Sequence, residues 1–248
     1  MNQKGGVGKT TCTVNLGAAL AEMGKKVLLI DIDPQANLSV HLEIDIHSLE
    51  ESIYTLLTGR ATVRETLLVD VRPNLSVIPA NIDLSGAEIE LVNAVGRETV
   101  LRTALQSFLE EESFDYVLLD CPPSLGLLSI NALTTAAEVF IPLQTEFFAM
   151  QGMTRLIEVV DLIRTRLSHP IEISGIIATQ YDGRTNLSRE VTSEIRKYFG
   201  RKVFDSIIHN NVKLAEATSH GKTILEYAGD SRGAKNFREF AREVSRQK

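Results

Sequence analysis

KGGVGKTT, residues 4–11, is a glycine-rich run that ends in Lys-Thr-Thr, and its reading decides the fold. Counting back from Gly8, Lys9 and Thr10 along the form G-x-x-x-x-G-K-[ST] puts Gln3 where the first glycine belongs and a second lysine, Lys4, just after it. The run is a deviant phosphate-binding loop. Gly5, Gly6 and Gly8 let the backbone turn with its N–H groups inward, and a helical pattern from about residue 10 turns a helix N-terminus onto the same point. Such a nest suits a triphosphate. Lys9 is placed to reach the β- and γ-phosphates, the Thr10 hydroxyl to bind Mg2+, and Thr11 to hold the α-phosphate, with Val7 completing the loop.

Outward from the loop, short β-branched and leucine-rich runs alternate with longer helical patterns. That alternation predicts an α/β fold, a mostly parallel twisted sheet with helices on both faces. Strands are expected at 26–31, 75–79, 116–120, 139–143, 173–179 and 203–208. Helices are expected at 10–23, 48–58, 84–112 with a break near Gly96, 125–136, 150–167, 187–199, 212–219 and 233–246. With 248 residues and 44 % hydrophobic content, one ATPase domain over residues 1–248 is expected. A phosphate loop ordinarily follows a strand, yet only Met1, Asn2 and Gln3 precede Lys4, so a leading strand is expected to be missing.

Two carboxylates join the loop. Asp31 and Asp33 in IDIDPQAN end the strand after the first helix, where parallel-sheet ligand sites lie, and would share a face if the strand ran that far. Asp33 is assigned to orient the attacking water, or to hold Mg2+ through water, while Asp31 suits a turn or cap. Asp120 closes the apolar run from Tyr116 and precedes Cys121-Pro122-Pro123, which forces the chain out of the sheet; it reads as a second carboxylate on the Mg2+ side, acting through water. Cys12 and Cys121 have neither disulfide-framework nor metal-ligand spacing and read as small buried residues. No run of 18 apolar residues occurs, which with the cysteine usage points to a cytoplasmic protein.

The net charge of −6 is unevenly spread. Residues 1–180 carry 12 Lys and Arg against 23 Asp and Glu, whereas residues 181–248 carry 14 against 9. A basic C-terminal quarter suits an anionic partner such as DNA, although solvated helix faces give similar counts.

KGGVGKTT, DIDPQAN, AEIELV (87–92), DCPPSLGLLSINAL (120–133), YDGRTNLSREV (181–191) and NVKLAEATSHGKTI (211–224) together resemble a ParA/Soj-type partition ATPase. The loop alone is shared by the wider deviant group, which includes septum-placement ATPases and nitrogenase iron-protein relatives. The resemblance implies an ATP- and Mg2+-dependent ATPase that acts as a homodimer, with Lys4 crossing the interface to the partner's nucleotide. It implies non-specific double-stranded DNA binding, a nucleoid location, and release when a ParB-type centromere-binding protein stimulates hydrolysis. Arg184 and, with a substitution, Lys213 match the family's DNA contacts, and Arg189 extends the patch. Asn211 retains an amide expected near the adenine. His209 and Asn210 replace the Pro-Arg common there, and Ala36 stands where glycine is frequent.

No arginine is placed as a finger in the loop region, which predicts slow basal hydrolysis. Two other readings are open. A septum-positioning ATPase would use Phe237, Phe240, Ala241 and Val244 as a membrane-facing helix stripe, although docking of that helix on the core fits better. A P-loop metabolic kinase or ligase would need an acceptor pocket, for which the sequence offers no residues.

Overall fold

Strands buried on both faces read as unbroken apolar runs, and the chain builds its centre from such runs. The computed structural model describes residues 1–146 and 153–246. Strands β1 (Val27–Asp31), β2 (Leu68–Arg72), β3 (Leu75–Ile78) and β4 (Tyr116–Asp120) form one sheet in the order β2-β3-β1-β4. Strands β5 (Glu138–Gln144), β6 (Glu172–Tyr181) and β7 (Val203–His209) form a second in sequence order. All neighbours are parallel except β2 and β3, an antiparallel pair with an irregular register.

Among the described residues no strand precedes the loop, and β4 and β5 flank an apolar cavity of about 330 Å³ lined by Cys12, Leu118, Val139 and Phe240 among others. Met1 and Asn2 lie along β5, the terminal ammonium donating to the Phe140 carbonyl and Asn2 Nδ2 to the Pro142 carbonyl at 2.8 Å.

Helix α1 (Lys9–Glu22) starts one residue earlier than expected and packs on β1 and β4. Gly17 permits that approach, since a Cβ there would lie 2.7 Å from Leu29 Cδ2. The long pattern at 84–112 divides into α5 (Leu84–Glu90), a single 3-10 turn, and α6 (Val100–Glu111), with Gly96 at φ 71° in the break. Among the described residues, α2 (Asn37–His41), α4 (Val63–Thr66), strand β2, the 3-10 turn Gly200–Lys202 and α11 (Ile224–Ala228) fall outside the expected elements. The pattern at 48–58 contracts to α3 (Ile53–Leu57), capped by Ser52 and Thr55. Helix α7 is Leu127–Thr135, α8 Met153–Arg166, α9 Asn186–Phe199 and α10 Val212–Ser219. Residues 150–152 of the expected 150–167 helix lie outside the described residues.

The last helix, α12 (Arg232–Arg246), docks on the core as the sequence favoured. Phe237, Phe240, Ala241 and Val244 are all buried there, and Phe240 meets Phe204 edge to face. Arg238 clamps Glu22 of α1 with two hydrogen bonds of 2.7 and 2.8 Å. The stripe that a membrane-bound reading would use is thus spent on α1 and β7. No described helix is long and apolar enough to cross a membrane.

Candidate functional site

The loop turns where only glycine turns freely. Gly6 and Gly8 take φ of 75° and 88°, and Gly8 sits at the N-cap of α1. The N-terminus of α1 has no side-chain cap hydrogen bond, and the unpaired first-turn N–H groups and dipole of a helix start favour an anion. Val7 is buried, and its carbonyl accepts from Thr179 Oγ1 at 2.9 Å; Gln180 Nε2 donates to the Gly6 carbonyl. The end of β6 therefore holds the loop's outer limb. Gln180 does so from a left-handed φ of 51°, which is strained for a side chain of its kind.

The two lysines differ in environment. Lys9 turns inward, its Nζ donating to the Lys4 carbonyl at 3.3 Å. Burial lowers its pKa, and the charges of Asp120 and Asp33 oppose that shift. Lys4 stands on the outer rim, 45 % exposed, with its Nζ 2.6 Å from Glu146 Oε2. Glu146 is also held by Gln144, whose Nε2 donates to Gln180 Oε1 at 2.7 Å. Sequence reading missed Gln144, Glu146, Thr179 and Gln180, and their spacing carries no motif that would have found them.

The carboxylates gather at the strand ends. Asp31 and Asp120 are register partners on β1 and β4, and Ile32 N–H bonds the Asp120 carbonyl at 2.9 Å. Thr10 Oγ1 donates to Asp120 Oδ2 at 2.6 Å, which joins the loop to the strand end. Burial raises the pKa of Asp120; the Thr10 hydrogen bond opposes this and the charge of Asp33 adds to it. Burial also raises Asp31, with the Asp120 charge adding and bonds from Ser39 opposing.

The condition for Asp31 and Asp33 to share a strand face is not met, because β1 ends at Asp31. Asp33 instead sits in a turn. Its carbonyl accepts Ala36 N–H at 2.8 Å and its Oδ1 accepts Gln35 N–H at 3.0 Å. Ala36 takes a left-handed φ of 50°, so alanine strains this turn where glycine would not. Both cysteines are buried, and burial pushes each thiol up to about 12, which keeps them protonated and unreactive.

The remaining candidates lie on the second sheet and the helices after it. His209 ends β7, its Nδ1 3.0 Å from Asn236 Oδ1 and its Nε2 2.6 Å from Arg232 Nη2. Asn211 caps α10 through Lys213 N–H at 3.0 Å, which occupies the amide oxygen expected near a base. Lys213 is exposed. Arg184, 90 % exposed, lies in a two-bond clamp with Asp182, whose carboxyl it holds down to about 2. Arg189 bonds Asn186 and lines a shallow groove with Arg196, Lys197 and Tyr181.

These residues fit a nucleotide and its metal ion. No group of three or more His, Cys, Asp or Glu forms a metal cage among the described residues. A hydroxyl and a carboxylate 2.6 Å apart beside a phosphate nest are the sparse oxygen set that Mg2+ uses when phosphates and water supply the rest.

Comparisons with known proteins agree with this architecture. Residues 1–173 match a family model described as an AAA domain. The chain is similar to the sporulation initiation inhibitor protein Soj of Bacillus subtilis, 48 % identical over 98 % of this chain and 96 % of that one. It is 47 % identical to the chromosome-partitioning ATPase Soj of Treponema pallidum, over 98 % and 94 %. Among solved structures, the cobyrinic acid a,c-diamide synthase of Mycobacterium smegmatis with bound ADP and magnesium superposes with a TM-score of 0.85 at 35 % identity, covering 100 % of this chain and 92 % of that one.

Proposed function

Because the chain belongs to the Soj/ParA family of chromosome-partitioning ATPases, we propose that it forms an ATP-sandwich homodimer that grips DNA until slow, partner-stimulated hydrolysis releases it. The observation that supports the reading is the different placement of the loop's two lysines. Lys9 is drawn inward among carboxylates and Lys4 waits on the rim, half exposed.

In this reading one ATPase domain spans the chain. Gly5, Gly6, Val7, Gly8 and Thr11 cradle the phosphates with backbone N–H groups, and Lys9 neutralises the β- and γ-oxygens. Thr10 and Asp120 hold Mg2+, Asp120 through water. When bound, the ion would supply neutralisation of phosphate charge there. Asp33 orients the water, His209 and Asn211 border the base, and Lys4 reaches the partner's nucleotide. A lysine that meets ATP only across the interface adds affinity only in the dimer, so nucleotide state sets oligomeric state. Arg184, Lys213 and Arg189 then face one DNA duplex from both subunits. Phosphate contact does not need the bidentate fork that lysine lacks, so Lys213 serves in place of arginine. Asp182 must yield Arg184 to the DNA, which makes that contact a competition between carboxylate and phosphate.

Hydrolysis measured with and without DNA, and with and without a ParB-type partner, tests this. The reading expects slow basal turnover and stimulation that needs both. Fast turnover of the protein alone contradicts it. The similarity to a solved cobyrinic acid a,c-diamide synthase favours a second reading, transfer of the γ-phosphoryl group to a small acceptor. There Lys4→Ala would leave turnover intact; in the partition reading it removes ATP-dependent dimerisation.

A further inference from the structure

The turn that carries Asp33 is braced by a buried carboxylate that the partition reading leaves without a role. Asp31 closes β1 and is fully buried. Its Oδ1 accepts the Asp33 N–H at 3.2 Å, and its Oδ2 accepts both the Ser39 N–H at 3.0 Å and the Ser39 hydroxyl at 2.8 Å. Ser39 Oγ in turn accepts the Ala80 N–H at 3.0 Å, two residues past β3. One carboxylate thus ties the end of β1, the Asp33 turn, α2 and the exit of β3.

Such a tie matters because the turn it holds is strained. Ala36 is buried in a left-handed conformation, and its N–H closes the turn on the Asp33 carbonyl. A backbone outlier of this kind persists only where its surroundings over-determine it. Asp31 fixes the turn at the Asp33 N–H, and Ser39 fixes Asp31. Burial of the pair in a low-dielectric interior strengthens each bond and makes a half-satisfied brace costly.

We propose that Asp31 and Ser39 are positioning residues for hydrolysis, holding the Asp33 backbone so that its carboxylate keeps the attacking water in line. The inference rests on Asp33 as the water-positioning carboxylate. Neither residue touches the nucleotide in this account; both act through Asp33. Catalytic geometry tolerates little error, and a displacement of about 1 Å costs on the order of a hundred-fold in rate.

The test compares Ser39→Ala, Asp31→Asn and Asp33→Asn in the full chain, measuring Mg-ATP turnover, affinity for a fluorescent ATP analogue and thermal melting. Ser39→Ala is expected to lower turnover roughly tenfold or more while analogue affinity stays at the wild-type level. Adding Ala36→Gly to Ser39→Ala should recover part of the loss, because glycine takes the left-handed turn without strain. A merely structural brace would give neither the split between turnover and affinity nor the recovery. Should Asp31→Asn fail to fold, Ser39→Ala and its Ala36→Gly partner decide. Wild-type turnover in Ser39→Ala beside a dead Asp33→Asn would overturn the brace and leave the role of Asp33 standing. Full turnover in Asp33→Asn would instead remove the reading on which the brace rests. Equal loss of affinity and turnover in Ser39→Ala would also overturn the proposal.

Discussion

Replacing Glu146 with glutamine should tighten the ATP-bound dimer. In the structure Lys4 Nζ lies 2.6 Å from Glu146 Oε2, so the lysine proposed to reach the partner's nucleotide is held by its own chain. The pair is 45 % and 52 % exposed, and ion pairs of that exposure contribute about 0.2–1 kcal/mol. Each dimer must break two of them, about 0.4–2 kcal/mol in all, so the dimer dissociation constant should fall about 2- to 30-fold. Glutamine keeps the side chain's length and one carbonyl acceptor for Lys4, and removes the charge together with the second acceptor oxygen that Gln144 uses. Sedimentation equilibrium with a non-hydrolysable ATP analogue at low salt measures the change, and repetition at about 1 M salt should shrink it, because exposed pairs are screened. Unchanged or weaker dimerisation of Glu146→Gln would refute the reasoning. So would a gain that persists undiminished at about 1 M salt, where the ion pair is screened.

Other tests address the fold and the remaining site residues. Gly175→Ala should cost about 1–3 kcal/mol in chemical denaturation, since its Cβ would fall 2.1 Å from Phe204 Cε2 and 3.0 Å from Phe140 Cδ1. Burial raises the pKa of Asp31 and Asp120, so the folded chain holds protons that the unfolded chain has released. Their stabilising effect is full below about pH 4 and is lost as pH rises through the raised values, so the difference in melting temperature between pH 5 and pH 8 without nucleotide should shrink in Asp120→Asn. If the dimer makes roughly six phosphate contacts, the slope of log affinity for DNA against log salt is about −5, and Lys213→Ala should flatten it by about two, one contact per subunit. Salt-independent binding would contradict the patch.

The sequence made the centre of the fold legible because strands buried on both faces leave unbroken apolar runs; Tyr116–Asp120 stands as expected and Val27–Asp31 differs by one residue. Strand β2 escaped because it is a half-exposed edge strand with a bulge, and Leu-Val-Asp-Val-Arg has no uniform apolar character. Helix α12 was readable from Phe237, Phe240, Ala241 and Val244, which keep to one helical face. The glycine-rich turn was readable from residue type at fixed spacing, and Asp120 as a strand end from the apolar run that it closes. Glu146 and Gln180 were not: they meet Lys4 and Gly6 only because the ends of β5 and β6 converge on the loop, and that convergence leaves no local signal. Asp31 suited a turn in the sequence; its link through Ser39 to Ala80 is a tertiary fact that spacing cannot carry.

The central claim is that nucleotide state sets oligomeric state through Lys4. Sedimentation velocity of the Asp33→Ala chain, expected to hydrolyse ATP too slowly to lose it, with Mg-ATP, with Mg-ADP, and with Mg-ATP after adding Lys4→Ala tests it most directly. The account predicts a dimer only in the first of these. A monomer in all three, or a dimer that persists with Mg-ADP or without Lys4, would contradict it.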